Sequence, residues 1–303
     1  MAGYLVKLNI LFLVFSAGLY AQNDTHDDSA IVVDVRDRIN LRMQNTAQWL
    51  DDLLGEEVNP NKAHARGFLR LGWLPRSADL AETEVRFKVS LSLPSWENRL
   101  NLIIDNDADE FSRLPFEIDS PANQNNGTED INAALQFLVE RTANLEVDNR
   151  VGISRSQLYG RSALRWNKTF NQTQYFASAG LEYYFSDGFG YFIKLSSDTK
   201  INEFYSLNVS ANYREIDDEI DSEMRSGVYL SYIPDAQRAA VFGANVQNSF
   251  DDFTIYTVSY RYRQQVKYSW LFYELEPFIE YREELNYRDE VGFAIRLIGY
   301  YGQ

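Results

Sequence analysis

Two histidines and no cysteine set the first limit on the chemistry open to this chain. Nucleophilic catalysis needs a base within reach of its Ser or Cys, and His is the usual base at neutral pH. His26 lies in a polar, acidic stretch and His64 stands just before the first strand-like segment, and neither has a serine two residues away. Ser–His and Cys–His catalysis from within the strands is therefore disfavoured. Paired carboxylates cleave glycosidic bonds, but among 44 acidic residues such pairs are too common to be specific. Asp105-x-Asp107-x-Asp109 opens like a calcium loop. Glu110 then stands where glycine is needed, and Phe116 where the bidentate glutamate belongs. No catalytic set, cofactor motif or metal site emerges, and the chain is expected not to be an enzyme.

Charges on alternate positions say more. Glu274, Glu276 and Glu280 fall on one face of a period-two segment whose other face is Leu271, Tyr273, Leu275, Ile279 and Tyr281. Arg261 and Arg263 belong to the segment before it, and Arg296 to the one after. In that last segment Val291, Phe293, Ile295, Leu297 and Tyr301 alternate with Gly292, Ala294, Arg296, Ile298 and Tyr300. Arg161 shares a face with Arg165, and Arg86 with Lys88; Glu140, Glu146, Asp148, Arg150, Glu182 and Lys194 fall on the same side of their segments. Successive strand residues project to opposite faces, so a charge at every second position builds a wall. Opposed basic and acidic walls around an aqueous lumen would bias solute passage. The alternative is a barrel interior closed by ion pairs.

Such walls need strands, and from Ala65 onward strands dominate the pattern. The candidates are Arg66–Leu74, Glu84–Leu93, Leu100–Asp105, Ala133–Glu140, Leu145–Ser154, Leu158–Asn167, Tyr175–Phe185, Phe189–Ser196, Phe204–Arg214, Gly227–Ile233, Ala239–Gln247, Phe253–Arg263 and the two arms of Trp270–Tyr301. That is about fourteen, with twelve left open if a short pair is over-read. Many have the length of a tilted membrane strand. The expected fold is all-β: a transmembrane, antiparallel, up-and-down β-barrel of 12–14 strands with a short N-terminal amphipathic helix. Aromatic residues make up 15% of the chain, with 20 Tyr and 19 Phe, which suits girdles at two membrane interfaces. The mean hydropathy of −0.38 excludes a helical membrane bundle, and the net charge of −15 argues against nucleic acid as a partner.

The N-terminus carries an apolar run, Leu8–Tyr20, behind Lys7, with small residues at Ala17-Gly18 and at Ala21. This predicts a signal peptide over residues 1–21, cleaved after Ala21. Residues 22–64 then form a linker and the helix Ile31–Leu54, and residues 65–303 form the barrel. Val32, Val35, Ile39, Met43, Leu50 and Leu53 make the helix's apolar stripe.

In a fourteen-strand meander that starts in the periplasm, the short turns Pro94–Asn98, Thr142–Asn144 and Pro234–Gln237 fall inside. The long acidic loops Asn106–Asp130 and Glu215–Glu223 fall outside. Arg155–Gln157 and Ser186–Gly188 become short outer loops, while Asn171 and Thr199 sit in rather long inner ones.

The chain over Ala65–Tyr301, with its leader, resembles Gram-negative outer-membrane β-barrel proteins. The resemblance implies a place in the outer membrane, in contact with its lipid and lipopolysaccharide. It also implies that the barrel-assembly machinery reads the last strand through Phe293, Ile295, Leu297 and Tyr301. Here the chain ends Tyr301-Gly302-Gln303 instead of on the aromatic itself. The expected role is a passive channel, or porin, for small solutes, with Arg86, Lys88, Arg161, Arg165, Arg261, Arg263, Glu274, Glu276, Glu280 and Arg296 facing its lumen. The alternatives are a non-conducting barrel that is structural or binds a periplasmic protein through Ile31–Leu54, and a soluble secreted β-sandwich.

Overall fold

A computed structural model describes residues 33, 36–38, 40–41, 43–45, 63–77, 82–93, 100–106, 114, 131–217, 222–249 and 253–302. The chain divides into two compact units, Met1–Thr46 and Ala47–Gln303. In the first, every described residue between 33 and 45 is helical, within the expected helix Ile31–Leu54. The leader, its cleavage point and the rest of that helix lie outside the described residues.

The second unit carries fourteen strands: His64–Trp73 (β1), Thr83–Leu93 (β2), Leu100–Asp105 (β3), Asn132–Arg141 (β4), Leu145–Ser154 (β5), Gln157–Phe170 (β6), Thr173–Tyr184 (β7), Gly188–Lys200 (β8), Tyr205–Ile216 (β9), Glu223–Asp235 (β10), Arg238–Ser249 (β11), Thr254–Gln265 (β12), Leu271–Arg282 (β13) and Asp289–Tyr301 (β14). Each pairs antiparallel with its neighbours in the chain, and β1 pairs with β14, so the sheet closes without an edge.

Alternation assigns the two faces. Along β14, Val291, Phe293, Ile295 and Leu297 are exposed on the outside, while Glu290, Ala294, Arg296 and Ile298 are buried within. A soluble sandwich would turn these faces the other way. The outward residues form a band between two aromatic belts. Near the end that holds both barrel termini lie Trp166, Tyr175, Tyr205 and Tyr232, the last two with ring centroids 4.8 Å apart. Near the opposite end lie Tyr183, Phe189, Tyr191, Tyr256 and Tyr281, with Tyr183 and Phe189 4.8 Å apart. Aliphatic residues such as Leu164, Ile193, Leu195, Val209, Val228, Val258 and Ile279 fill the space between. Two amphipathic belts around an apolar waist match a bilayer and its two interfaces.

Connections at the terminal end are short: 94–99, 142–144, 171–172, 201–204, 236–237 and 266–270. Those at the opposite end are 74–82, 106–131, 155–156, 185–187, 217–222, 250–253 and 283–288. Long inner connections at Asn171 and Thr199 are therefore corrected. β6 and β8 run on through Phe170 and Lys200, where polar residues on both faces hide the alternation but the ladder continues, Phe170 opposite Thr173 and Thr173 opposite Thr199. The hairpin between β5 and β6 turns on Arg155 and Ser156, both at positive φ (53° and 60°). This is the primed-turn geometry that suits strand twist, strained here for want of glycine.

The closing seam rests on one small residue. Gly67 of β1 lies opposite Tyr301, whose Oη donates to the Lys88 carbonyl of β2 at 2.5 Å. A Cβ at position 67 would fall 1.9 Å from that carbonyl oxygen and 2.1 Å from the Tyr301 hydroxyl. Tyr301 thus lies across β1 and ties β14 to β2. Gly67→Val is expected to expel the ring and cost about 1–3 kcal/mol through overpacking. A lower temperature for loss of the compact band on unboiled SDS gels would report it, and an unchanged temperature would refute this account of the seam.

Candidate functional site

The lumen is lined by ion pairs in three tiers along β12, β13, β14, β1 and β2. In the middle tier Glu276 accepts from Arg261 Nε at 2.9 Å and from Arg296 Nη1 at 2.5 Å. Arg296 Nε also donates to Glu84 of β2 at 2.8 Å, although β1 lies between them. Gly72 of β1 makes that reach possible: its Cβ would fall 3.0 Å from the Glu84 carboxylate and 3.2 Å from Arg296 Cγ. Glu84 also pairs with Arg70 and, at 3.3 Å, with Arg86. One carboxylate thus gathers three guanidiniums across the seam.

The tier nearer the opposite end is built with help from the β1–β2 connection. Leu74 packs inside against Phe278 and Ala294. Arg76 is buried over the Phe278 ring, donating to Glu82 at 2.6 Å and to Glu280 at 2.5 Å. Arg282 joins Glu280 at 2.8 Å and Glu290 at 3.2 Å. Burial pushes the Glu82 carboxyl above the usual carboxylate range, against the lowering influence of Arg76.

In the third tier, toward the terminal end, Arg263 is 3.9 Å from Glu274, and so is Arg296. Among the described residues of this wall, seven guanidiniums (Arg70, Arg76, Arg86, Arg261, Arg263, Arg282, Arg296) meet six carboxylates (Glu82, Glu84, Glu274, Glu276, Glu280, Glu290). The arginines neutralise the acidic row instead of leaving it bare.

The far wall repeats the scheme. Glu182 of β7 takes Arg161 of β6 at 2.7 Å and Arg214 of β9 at 2.6 Å. Asp148 of β5 takes Arg165 at 2.5 Å and Arg150 at 3.3 Å, with Glu146 3.5 Å from Arg165. Lys88 stands opposite Asp105 in the β2–β3 register. All ten charged residues named from the sequence for the lumen thus lie on the inward faces. Arg76, Glu82, Glu84, Arg70, Arg214 and Arg282 were not among them. Continued alternation from Arg86, from Glu280 and along β1 and β9 would have found Glu84, Arg282, Arg70 and Arg214. The same alternation carried past the strand ends would reach Glu82 from Glu84 and, across Pro75, Arg76 from Arg70.

The connection Asn106–Asp130 lies at the end opposite the barrel termini, as expected for an outer loop, and its one described interior residue, Leu114, packs against the inner wall. Leu114 is 2% exposed and packs against Tyr229 of β10 and Val241 of β11, both inward-facing. Those strands lie across the barrel from β3 and β4, which the connection joins. Tyr229 itself lies flat in a niche left by Gly227 and Gly243, whose Cβ atoms would approach its ring to 2.7 and 2.2 Å.

A cavity of about 210 Å³ remains between Phe68, Arg70, Val241, Arg261, Arg263, Glu274 and Tyr300. Among the described residues no group of His, Cys, Asp or Glu has the arrangement of a metal site. Asp105 accepts instead from Asn132 at 3.1 Å; Asp107 and Asp109 lie outside the described residues.

No protein-family model and no curated protein matches the sequence. Solved structures do match in fold. A loop L8 deletion mutant of OmpT, an outer membrane protein of Vibrio cholerae, superposes with a TM-score of 0.52 at 9% identity, covering 79% of this chain and 99% of that one. The trimer form of in-vitro folded OmpT gives 0.51 at 11% identity, covering 79% and 99%. The outer membrane channel DcaP of Acinetobacter baumannii gives 0.50 at 8%, covering 82% and 99%. At such identities the likeness shows a shared outer-membrane barrel fold.

Proposed function

We propose that this chain is an outer-membrane channel for small hydrophilic solutes. Its signal peptide directs export, and the end holding both barrel termini faces the periplasm. The observation that carries the reading is the width of a polar interior. Fourteen strands about 4.8 Å apart and tilted about 40° enclose a backbone cylinder roughly 28 Å across, whereas about eight already make an interior that side chains fill. The extra width here is lined by charge and keeps a cavity. The exposed row Phe293, Ile295 and Leu297, with Tyr301 at the seam, supports recognition by the barrel-assembly machinery. The outward band and belts support contact with outer-membrane lipid and lipopolysaccharide.

One observation favours the second reading, a non-conducting barrel that binds a periplasmic protein through Ile31–Leu54. Glu276, Glu280 and Arg296 are almost wholly buried, and Leu114 sits inside against Tyr229 of β10 and Val241 of β11. Purified protein in planar bilayers separates the two. Discrete conductance steps in potassium chloride are expected. Their absence from both the intact chain and one lacking Ile31–Leu54 would overturn the channel.

A further inference from the structure

The three tiers differ in how tightly their charges are matched. In the middle tier Glu276 is bonded to both Arg261 and Arg296. In the third, Arg263 lies beyond hydrogen-bond range of its nearest carboxylate, Glu274, at 3.9 Å, and 30% of its side chain is exposed. What holds Arg263 is aromatic. Its guanidinium lies 4.5 Å from the Phe272 ring centroid and 5.2 Å from that of Tyr300, and its Nη2 donates to Tyr300 Oη at 2.5 Å. Ring faces and a neutral phenol orient a cation without cancelling its charge. Arg263 is therefore fixed in place by the two rings, shares Glu274 only across 3.9 Å, and keeps part of its guanidinium exposed to the cavity.

The cavity of about 210 Å³ opens beside this group. Its polar lining is three guanidiniums, Arg70, Arg261 and Arg263, against the single carboxylate Glu274; Phe68, Val241, Ile298 and Tyr300 supply apolar walls. A cavity of about 150 Å³ already takes benzene, so this space has room for a six-membered ring bearing one carboxylate. A planar guanidinium fork matches a carboxylate in shape, and apolar walls favour a body with few polar groups. Glu274 works against the anion and penalises a second negative charge. A simple aqueous path needs neither a ring-braced arginine nor apolar walls beside it.

From this geometry we infer that the cavity binds small organic monocarboxylates with a flat apolar body, and that Arg263 is the group that selects for the carboxylate. As a statement about what crosses the membrane this rests on the channel reading. As a statement about binding it is tested separately.

The test is calorimetric titration of the purified full chain in detergent with benzoate, benzamide and benzylamine, alongside bilayer conductance. Benzoate should bind at least tenfold more tightly than its neutral and cationic analogues. Arg263→Gln should weaken benzoate at least tenfold. Glu274→Gln should strengthen benzoate several-fold, a gain that misfolding cannot imitate. Equal binding of benzoate and benzamide, or full benzoate affinity in Arg263→Gln, would overturn the inference. Conductance with no benzoate binding would leave the channel standing and remove the site. Benzoate binding of the stated pattern without conductance would keep the site and remove the channel.

Discussion

Glu276→Ala lowers the stability of the barrel by about 3–5 kcal/mol, the scale for removing one partner of a buried ion pair. The carboxylate is fully buried, and it takes Arg261 at 2.9 and 3.3 Å and Arg296 at 2.5 Å. Its loss leaves two like charges close together in a medium of low dielectric. Arg296 keeps Glu84, while Arg261 loses both of its bonds to Glu276. The Arg261→Met, Glu276→Leu double variant should recover most of the lost stability, because the desolvation of both charges disappears with them. The measurement is the midpoint of urea unfolding in micelles, followed by tyrosine and tryptophan fluorescence. An unchanged midpoint in Glu276→Ala would mean that water reaches the middle tier and solvates the stranded guanidiniums. The outcome bears on function as well as stability. A large loss places a dry, ion-paired girdle on one wall, so that on the proposed channel reading any solute path runs beside it.

The parts of this architecture that could be read from sequence are those on which lipid and lumen impose opposite demands on alternate residues. β3 and β5 are legible to the residue at both ends, since Leu100–Asp105 and Leu145–Ser154 lie within the band. The tails of β6 and β8 are not, because beyond the aromatic belt both faces meet water and the pattern fades while the backbone ladder persists. The charged faces were legible for the same reason, but their pairing was not. That Arg296 meets Glu84 depends on closure of β14 onto β1 and on the space above Gly72, and neither has a local signature. Arg76 lies past the end of β1 behind Pro75, and Leu114 comes from a long connection, where no period applies. Their positions follow from long-range packing inside the barrel, against Phe278 in one case and Tyr229 in the other.

On the proposed channel reading, Leu114→Asp should raise single-channel conductance about twofold or more, since Leu114 lies against the inward-facing Tyr229 and Val241 and a pore conducts according to its open cross-section and lining. The leucine side chain is seated on Tyr229 and Val241 and is almost fully buried. Burial of a leucine is worth about 1.5–3 kcal/mol, and a carboxylate at the same place reverses the sign. The seat itself is made by the sequence of the opposite wall. Gly227 and Gly243 let the Tyr229 ring lie flat, so a leucine fits above it. Leu114→Met keeps volume and polarity and should leave conductance unchanged. Tyr229→Ala removes the platform and should act in the direction of Leu114→Asp. If Leu114→Asp and Tyr229→Ala both conduct as the parent does, Leu114 does not set the open cross-section, and the limiting step lies elsewhere along the charged walls. If the parent is silent and only these variants conduct, the barrel is one whose interior packing holds it shut. The second reading of its function, a non-conducting barrel with a periplasmic partner, would then be the better one.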